Sequence, residues 1–298
     1  MKIARFLIKG RPAVAVDGGE GFVDFGAILE ARGWRSEITG ADPERRLINM
    51  LRRGMLDEDF ILEQMEWLPK SGQSARWRLE VDGLAPLLPL RPPKIICLAR
   101  NWVSHAREQG HELPDRPVYF AKTENAAIGP GEPIRIPGGI GRVEHEGELG
   151  VVISNRASGV AAGDAGKFIL GYTIVNDVTA RELQRDLARE GRPWFAAKSM
   201  DSFAPIGPWI VTRSQMEPLS SKRIRVAVNG ELRQDGILDD MHWGVEQLIE
   251  AITRYITLRS GDIIATGTPS GVGELKPGDE VVVEIDGIGQ LVNPVVEG

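Results

Sequence analysis

Residues 142–153 (RVEHEGELGVVI) join a row of acidic side chains to an unbroken apolar run. The apolar part is typical of a buried strand, and residues two apart in a strand point to the same face. Glu146 and Glu148 would therefore direct two carboxylates to one place, with Glu144 in the same row. Like charges at this distance repel unless a cation neutralises them or one acid takes up a proton. The pattern indicates either a hard cation held by oxygen ligands or a solvated strand end.

Composition and charge exclude several classes of partner. The net charge of -6 argues against nucleic acid, which requires clustered Lys and Arg. The chain has no apolar run of about 18 residues, so we expect no membrane span, and its N-terminal apolar segment is too short for a signal peptide. The single cysteine, Cys97, cannot form an internal disulfide, which fits a cytoplasmic protein. Its apolar surroundings predict a core position and not a nucleophile.

Residues 1–85 predict a small α+β accessory domain. Short strands with alternating polarity end at Gly and Pro turns, and Asp42-Pro43 is a typical helix start. Residues 57–67 repeat the helical pattern. Four prolines in residues 85–93 predict a semi-rigid linker at 86–93, so the second domain would span 94–298.

The second domain is predicted to be predominantly β, with α+β elements. Apolar runs bounded by turn residues predict strands at residues 95–98, 118–121, 149–153, 168–175, 209–211, 224–228, 262–265 and 281–285. Asn229-Gly230 and Asp286-Gly287 are hairpin turn signals. A helical apolar stripe runs from Val245 to Ile256, and we expect this helix to stop near Gly261.

A third acid follows a different predicted strand. Residues 171–175 end at Asn176-Asp177, so Asp177 can join Glu146 and Glu148 as an oxygen ligand. Three carboxylates without cysteine favour Mg²⁺ or Mn²⁺ over structural zinc, and Ca²⁺ suits the same ligands. The alternative is that Asp177 caps a helix beginning at Val178.

Two further pairs are spaced three residues apart, as neighbours on a helix are. His105 and Glu108 form a candidate base, since a carboxylate that orients an imidazole makes it usable in proton transfer. The alternative is an ordinary surface pair. Arg181 and Gln184 would share one face, and Arg suits a bidentate grip on a carboxylate. The remaining histidines, His111, His145 and His242, are expected to be structural.

Residues 266–273 (TGTPSGVG) form a glycine-rich turn after a predicted strand. The turn lacks the Gly-Lys-Ser/Thr ending of a phosphate loop and opens no helix, which excludes nucleotide binding. Its backbone N–H groups can still cradle an anion such as a carboxylate. A tight turn without a ligand is the alternative.

Five stretches in this order resemble the fumarylacetoacetate hydrolase family. They are Asn101–His105, Glu146–Leu149, Asn176–Arg181, Lys198–Phe203 and Gly261–Pro269. The resemblance covers about residues 92–298, and the N-terminal part is similar to the small domain of bacterial two-domain members. It implies a β-rich roll of stacked mixed sheets, commonly assembled as a homodimer.

The resemblance also implies roles for individual residues. Glu146, Glu148 and Asp177 fall on the family's divalent metal ligands; His105 and Glu108 on a catalytic dyad in a lid that often orders with ligand; Lys198 on a lysine near the metal; Arg181, Gln184 and Thr268 on substrate contacts. Two departures leave the substrate open. Thr123 follows Lys122 where proline is usual, and Met241-His-Trp243 replaces a phenylalanine-containing stretch.

We therefore expect a metal-dependent hydrolase that cleaves a C–C bond in a 2-oxo acid, such as an acylpyruvate or fumarylpyruvate, in aromatic catabolism. His105, held by Glu108, would take a proton from water, the water would attack the distal carbonyl, and the dication and Lys198 would stabilise the leaving enolate. The same site can instead serve a decarboxylase of oxaloacetate, a hydratase, or an isomerase of 2-hydroxyhepta-2,4-diene-1,7-dioate type. A non-catalytic small-acid binding protein is the third hypothesis.

Overall fold

The computed structural model describes residues 1–34, 45–67, 73–108, 110 and 112–298. The expected helix start at Asp42-Pro43 and the expected structural role of His111 lie outside these residues. In the described part of the chain, most residues in regular structure belong to strands of several sheets, which confirms the predominantly β fold with α+β elements. No helix among the described residues has the length and apolar character needed to cross a membrane.

The strands are β1 Lys2–Ile8, β2 Arg11–Asp17, β3 Phe22–Asp24, β4 Ile95–Ala99, β5 Val118–Lys122, β6 Ala127–Ile128, β7 Ile134–Ile136, β8 Val143–His145, β9 Gly147–Ile153, β10 Ile169–Asn176, β11 Thr179–Ala180, β12 Ala204–Thr212, β13 Arg223–Val228, β14 Glu231–Ile237, β15 Ile263–Ala265, β16 Gly273–Leu275, β17 Glu280–Ile285 and β18 Gly289–Glu297. The α-helices are α1 Phe25–Ala31, α2 Arg46–Arg52, α3 Glu58–Glu66, α4 Val103–Glu108, α5 Arg181–Arg189, α6 Phe195–Lys198, α7 Arg213–Met216 and α8 Val245–Thr253. Every strand predicted for the second domain is present, with ends that differ by a few residues.

The largest sheet joins both parts of the chain. Its strand order is β3-β2-β1-β12-β10-β9-β15-β4-β5, with β6 paired to β12 off this path. β1 lies antiparallel to β12, with Ile3 opposite Ile210. The apolar side chains of Ile3 and Leu51 share one core cluster with Ile263. Residues 1–85 thus extend the central sheet, and their independence as an accessory domain stays a prediction.

The proline-rich segment packs onto this sheet. Leu88 and Leu90 are buried in the same core cluster. The Leu87 backbone N–H donates to the Arg5 carbonyl at 2.8 Å, and the Arg5 guanidinium donates to the Leu88 carbonyl at 3.0 Å. The segment predicted as a linker is therefore held against β1 by hydrogen bonds and apolar contacts.

β9 and β10 lie at the centre of the molecule, and every residue in both strands is buried. Leu149 and Val151 face one core cluster, whereas Val152 faces the other. A strand covered on both faces has no polar side to display, which explains the unbroken apolar run in the sequence.

The second sheet has the order β14-β13-β17-β18-β7, and the third has the order β11-β8-β16. Both predicted hairpins lie in the second sheet. Asn229 and Gly230 have φ angles of 52° and 78°, the positive values that a two-residue turn of this hand requires. Asp286-Gly287 lies in the loop between β17 and β18.

Two helix boundaries differ from the predictions. α8 ends at Thr253 and not near Gly261, because Leu258 turns away to exchange backbone hydrogen bonds with Ala157. α5 begins at Arg181 and not at Val178, since Thr179 and Ala180 pair with β8. Ala180 occupies the N-cap position, so the alternative that Asp177 caps this helix is wrong.

Gly171 lies where β10 meets β12 so closely that a side chain has no room. A Cβ at this position would stand 2.1 Å from the Val211 carbonyl oxygen. We predict that Gly171→Ala lowers the free energy of unfolding by about 3 kcal/mol, because backbone must move to admit the methyl group. Denaturant unfolding measures this loss. Gly163→Ala is the control, since nothing lies within 4 Å of its Cβ; equal stability of the two variants would contradict the prediction.

Candidate metal centre

Sheet pairing brings together three acids that are distant in sequence. Glu148 lies in β9 opposite Val175 of β10, and Glu146 precedes β9. The Asp177 backbone N–H, just beyond β10, donates to the Glu146 carbonyl at 2.8 Å. One carboxylate oxygen from each of Glu146, Glu148 and Asp177 lies within 4.8 Å of the others, and all three residues are buried. The predicted cluster is present in the structure.

Two cations hold Glu146 in its ionised form. The Lys198 ammonium lies 2.8 Å from Glu146 and 2.6 Å from Asp177, and the Arg181 guanidinium contacts Glu146 and Glu144. Burial alone raises the pKa of Glu146, but Lys198 and Arg181 together lower this pKa well below its usual range. Glu144 is not one of the three clustered acids, and Arg142 and Arg181 each bind its carboxylate at 2.6 Å.

The surroundings of Glu148 oppose its ionisation, in contrast to those of Glu146. Burial and the neighbouring carboxylates of Asp177 and Glu146 raise the pKa of Glu148 well above its usual range. An added positive charge among the three acids would remove this repulsion. The ligand atoms are all carboxylate oxygens, which suit a hard divalent cation. The residues present therefore fit such an ion.

His105, the predicted general base, and its partner Glu108 lie on one turn of α4. Nδ1 of His105 is 3.4 Å from Oε2 of Glu108, and the carboxylate of Glu108 accepts the Gly271 N–H at 3.1 Å. His105 is 8% exposed, unlike a residue of an ordinary surface pair. Burial lowers the pKa of His105, so the imidazole is neutral near pH 7 and able to accept a proton.

The glycine-rich turn connects this helix to the acids. Gly267 N–H donates to Oε2 of Glu148 at 2.8 Å, while its carbonyl accepts the Trp102 indole N–H at 2.8 Å. Asn101 donates to the Thr266 carbonyl at 2.8 Å. Backbone N–H groups of this turn do bind carboxylates, as the sequence suggested, and those carboxylates belong to Glu148 and Glu108.

The expected substrate contacts lie beside the acids and already have protein partners. Arg181 donates to Gln184 as well as to the acids. The Thr268 hydroxyl donates to the Gly147 carbonyl and accepts the Gln234 amide, both at 2.8 Å. Gln234 also accepts from Gly147 N–H at 3.1 Å and contacts His145 at 3.0 Å. Their roles toward a substrate stay predictions.

Sequence reasoning missed two buried polar residues, Lys122 and Gln234. Lys122 closes β5, and its ammonium binds Oδ1 of Asp177 at 2.7 Å. The same ammonium donates to the backbone carbonyls of Val178, Lys198 and Phe203. The family resemblance places Lys122 at the lysine of a usual Lys-Pro pair but assigns it no role, and Gln234 lies in the mostly exposed strand β14. Neither residue carries a local pattern that predicts its burial.

Most of the predicted site residues line one cavity of about 630 Å³. Its wall contains the predicted residues His105, Glu108, Glu146, Glu148, Arg181, Gln184, Lys198 and Thr268. This volume is ordinary for a small-molecule pocket. Cys97 is fully buried in the core, and burial raises the pKa of its thiol, as expected for a structural cysteine.

Comparisons with known proteins agree with the geometry. Residues 94–296 match the family described as fumarylacetoacetate (FAA) hydrolase C-terminal. A mitochondrial oxaloacetate tautomerase of Bos taurus is 39% identical over 226 residues, which cover 74% of this chain and 71% of that protein.

Two solved structures resemble the whole chain. A 5-carboxymethyl-2-hydroxymuconate delta-isomerase from Mycobacterium smegmatis has a TM-score of 0.75 at 32% identity, covering 100% of this chain and 99% of that one. A maleylpyruvate hydrolase from Sphingobium sp. SYK-6, in complex with manganese(II) and pyruvate, has a TM-score of 0.77 at 29% identity, covering 100% of both chains.

Lys122→Met tests whether the buried ammonium holds the centre together. We predict a loss of about 4 kcal/mol in the free energy of unfolding, because Asp177 loses a partner in a buried cluster and backbone carbonyls lose a donor. Denaturant unfolding without added metal measures the loss. Lys167→Met is the control, since its pair with Asp164 is exposed. Wild-type stability in Lys122→Met would exclude this role.

Proposed function

Because this chain belongs to the fumarylacetoacetate hydrolase family, we propose that it is a metal-dependent hydrolase of a C–C bond in a 2-oxo acid with a second carbonyl group. An acylpyruvate or a fumarylpyruvate is a substrate of this kind. One observation carries the proposal: Glu146 and Glu148, which cluster with Asp177, line one cavity together with the buried His105 and its partner Glu108. The homodimer implied by the family resemblance is proposed as well.

Glu146, Glu148 and Asp177 would hold the cation, with Mg²⁺ or Mn²⁺ as the proposed ion and Ca²⁺ as a further candidate. When bound, the ion supplies Lewis acidity and positive charge to the 2-oxo acid end of the substrate. The manganese in the maleylpyruvate hydrolase complex supports this choice.

His105 is the proposed general base. Its neutral imidazole removes a proton from a water molecule, and the resulting hydroxide attacks the distal carbonyl carbon of the substrate. Glu108 holds the imidazole and stabilises its charged form, while Gly271 N–H fixes Glu108. As the C–C bond breaks, the proton on His105 becomes available to the leaving carbon.

Lys198 supplies a fixed positive charge beside the reacting atoms. Burial lowers the pKa of Lys198, but the adjacent carboxylates of Asp177 and Glu146 outweigh burial and raise this pKa above its usual range. The ammonium therefore stays charged at neutral pH. It is placed to stabilise negative charge that develops on a substrate oxygen.

The second candidate is an isomerase or tautomerase, which the names of two similar proteins favour. A decarboxylase of oxaloacetate or a hydratase can use the same residues. In a tautomerisation His105 would move a proton between substrate atoms without activating water. Product analysis separates the reactions: two carbon fragments indicate hydrolysis, CO₂ indicates decarboxylation, added water indicates hydration, and unchanged mass indicates isomerisation.

His105→Gln tests the base. With saturating Mg²⁺ and acetylpyruvate or fumarylpyruvate as substrate, we predict that kcat falls by about 10²–10⁴, because proton removal from water loses its acceptor. The control is His242→Gln, because the His242 ring packs edge-to-face against Trp243; this variant should retain wild-type kcat. Full kcat in His105→Gln would remove the residue from the proposed role.

Glu148→Gln tests the metal centre without measuring turnover. The amide keeps the acceptor for Gly267 N–H and removes the repulsion from Glu146 and Asp177, so the protein without metal should be as stable as wild type. In wild type, Mg²⁺ or Mn²⁺ at 100 times Kd should add about 2.7 kcal/mol of stability. The variant should lose most of this gain in a thermal unfolding assay. Equal stabilisation of both proteins would argue against the three-acid centre.

A further inference from the structure

A second cavity, the junction cavity, lies where the start of α3 meets the ends of β9 and β10 that are remote from the metal centre. Its volume of about 450 Å³ is sufficient for a small molecule. Ser154, which lines it, follows Glu148 by six residues along β9, a distance of roughly 20 Å. None of the described residues lines both cavities, so a ligand here would be independent of the proposed function.

The floor of the junction cavity is apolar. Leu56, Ile169 and Leu170 line it, and each is at most 6% exposed. Leu56 and Leu170 belong to the core cluster that also contains Val152 of β9. A floor of this kind suits the hydrocarbon part of a ligand, because contact with it removes apolar surface from water.

A buried hydroxyl group faces the same floor. Ser154 is 5% exposed, and its backbone N–H donates to the Phe168 carbonyl at 2.8 Å, which continues the pairing of β9 with β10. Its side chain lies two residues after Val152 and therefore points to the same side of the sheet. In the part of the chain that the structure describes, this hydroxyl has no hydrogen-bond partner, yet its oxygen is not sealed inside the protein. Because buried polar groups are normally hydrogen-bonded, Ser154 points to a polar ligand.

Two carboxylates at the edge of the junction cavity have no cation beside them. Asp57 immediately precedes α3, and Asp59 lies in its first turn. Neither side chain forms an ion pair or a hydrogen bond with another described residue. Burial and the charge of Asp59 raise the pKa of Asp57. A positive charge placed between the two carboxylates would relieve this repulsion.

The other charged residues of the wall already have partners in the protein. Arg213 lies 2.7 Å from Glu217, and Lys167 lies 2.6 Å from Asp164. Glu58 lies 3.9 Å from the N-terminal ammonium group. The uncompensated charge of the wall is therefore negative, which favours a cation over an anion.

The cation that fits these surroundings is organic and not a metal ion. Among the described residues, the group of acids close enough to hold a metal is Glu146, Glu148 and Asp177, and no third acid joins Asp57 and Asp59. A hard metal ion requires several oxygen ligands, which an apolar floor does not supply.

We propose that the junction cavity binds a small organic cation: its ammonium group pairs with Asp57 and Asp59, its hydrocarbon part covers the apolar floor, and a second polar group reaches the hydroxyl of Ser154. An amino alcohol or a diamine has this chemistry. Such a ligand would connect α3 to the ends of the two central strands.

Matched pairs of small molecules test the proposal. Methyl NMR titrations of the full chain follow Ile169, whose resonance is identified by Ile169→Val. They compare 4-aminobutan-1-ol with butane-1,4-diol and 6-aminohexan-1-ol with hexane-1,6-diol, so each pair differs only in the charged group. We expect at least one amino alcohol to bind about tenfold more tightly than its diol, with a preference that falls as salt rises. Equal affinities in both pairs, or no shift of Ile169 with any of the four, would overturn the proposal.

Three variants locate the binding site. Asp57→Asn/Asp59→Asn should lose the preference for amino alcohols while α3 persists, since asparagine serves as an N-cap as well as aspartate does. Ser154→Ala should weaken amino alcohol binding by about three- to tenfold, because one hydrogen bond is lost. Glu63→Gln, at an exposed position of α3 outside the cavity, is the control and should bind as wild type does. An unchanged preference in the double variant would overturn the assignment.

The metal centre also contains buried acids, so its contribution has to be excluded. Glu148→Gln should bind the amino alcohols as the wild-type protein does, and Mg²⁺ at constant ionic strength should not displace them. Loss of amino alcohol binding in Glu148→Gln, or competition by Mg²⁺, would overturn the proposal, because the amine would then occupy a metal site.

Discussion

The burial of four carboxylates in one place is the constraint on which this structure depends. Glu144, Glu146, Glu148 and Asp177 are each at most 6% exposed. An uncompensated buried charge costs several kcal/mol, so the fold must bring cations to the same place. Lys122, Arg181 and Lys198 are those cations. They bind Asp177, Glu144 and Glu146 in short ion pairs, whereas Glu148 remains the acid whose neighbours oppose its ionisation. A dication among the acids would remove the repulsion that Asp177 and Glu146 exert on Glu148.

The ion pairs form because the central strands set the positions of their ends. β9 and β10 are antiparallel neighbours, so the residues that precede one strand meet those that follow the other, and Asp177 lies beside Glu146. β15 pairs with β9 and delivers the turn whose Gly267 holds Glu148. The cluster is thus a consequence of sheet register, and a slip of one residue would turn each side chain to the other face.

Local sequence patterns predicted the strands, the hairpin and the acidic residues at strand ends. They did not predict contacts between segments that are distant in the sequence. The apolar runs and the Asn229-Gly230 hairpin are local signals, and the structure contains both. The acid pair and Asp177 were predictable as strand ends, although not their distances. The contacts of Lys122 were not predicted, because its three carbonyl partners come from other segments of the chain. The pairing of β1 with β12 joins residues about 200 positions apart, a contact that no periodicity in the sequence indicates.

The wall of the cavity beside the three acids combines side chains that ion pairs hold in place with side chains that are exposed. On the inner wall, Arg181 and Lys198 are bound by carboxylates of the protein itself, so they have little freedom to adapt to different ligands. Preorganised charges of this kind suit a reaction step that many 2-oxo acids share. Proteins of similar fold accordingly include a hydrolase and an isomerase. Arg185 lines the same cavity, but it is exposed and can exchange water for a ligand. The buried ion pairs are therefore the fixed part of the cavity wall, and the exposed side chains are the part that can adapt to a ligand.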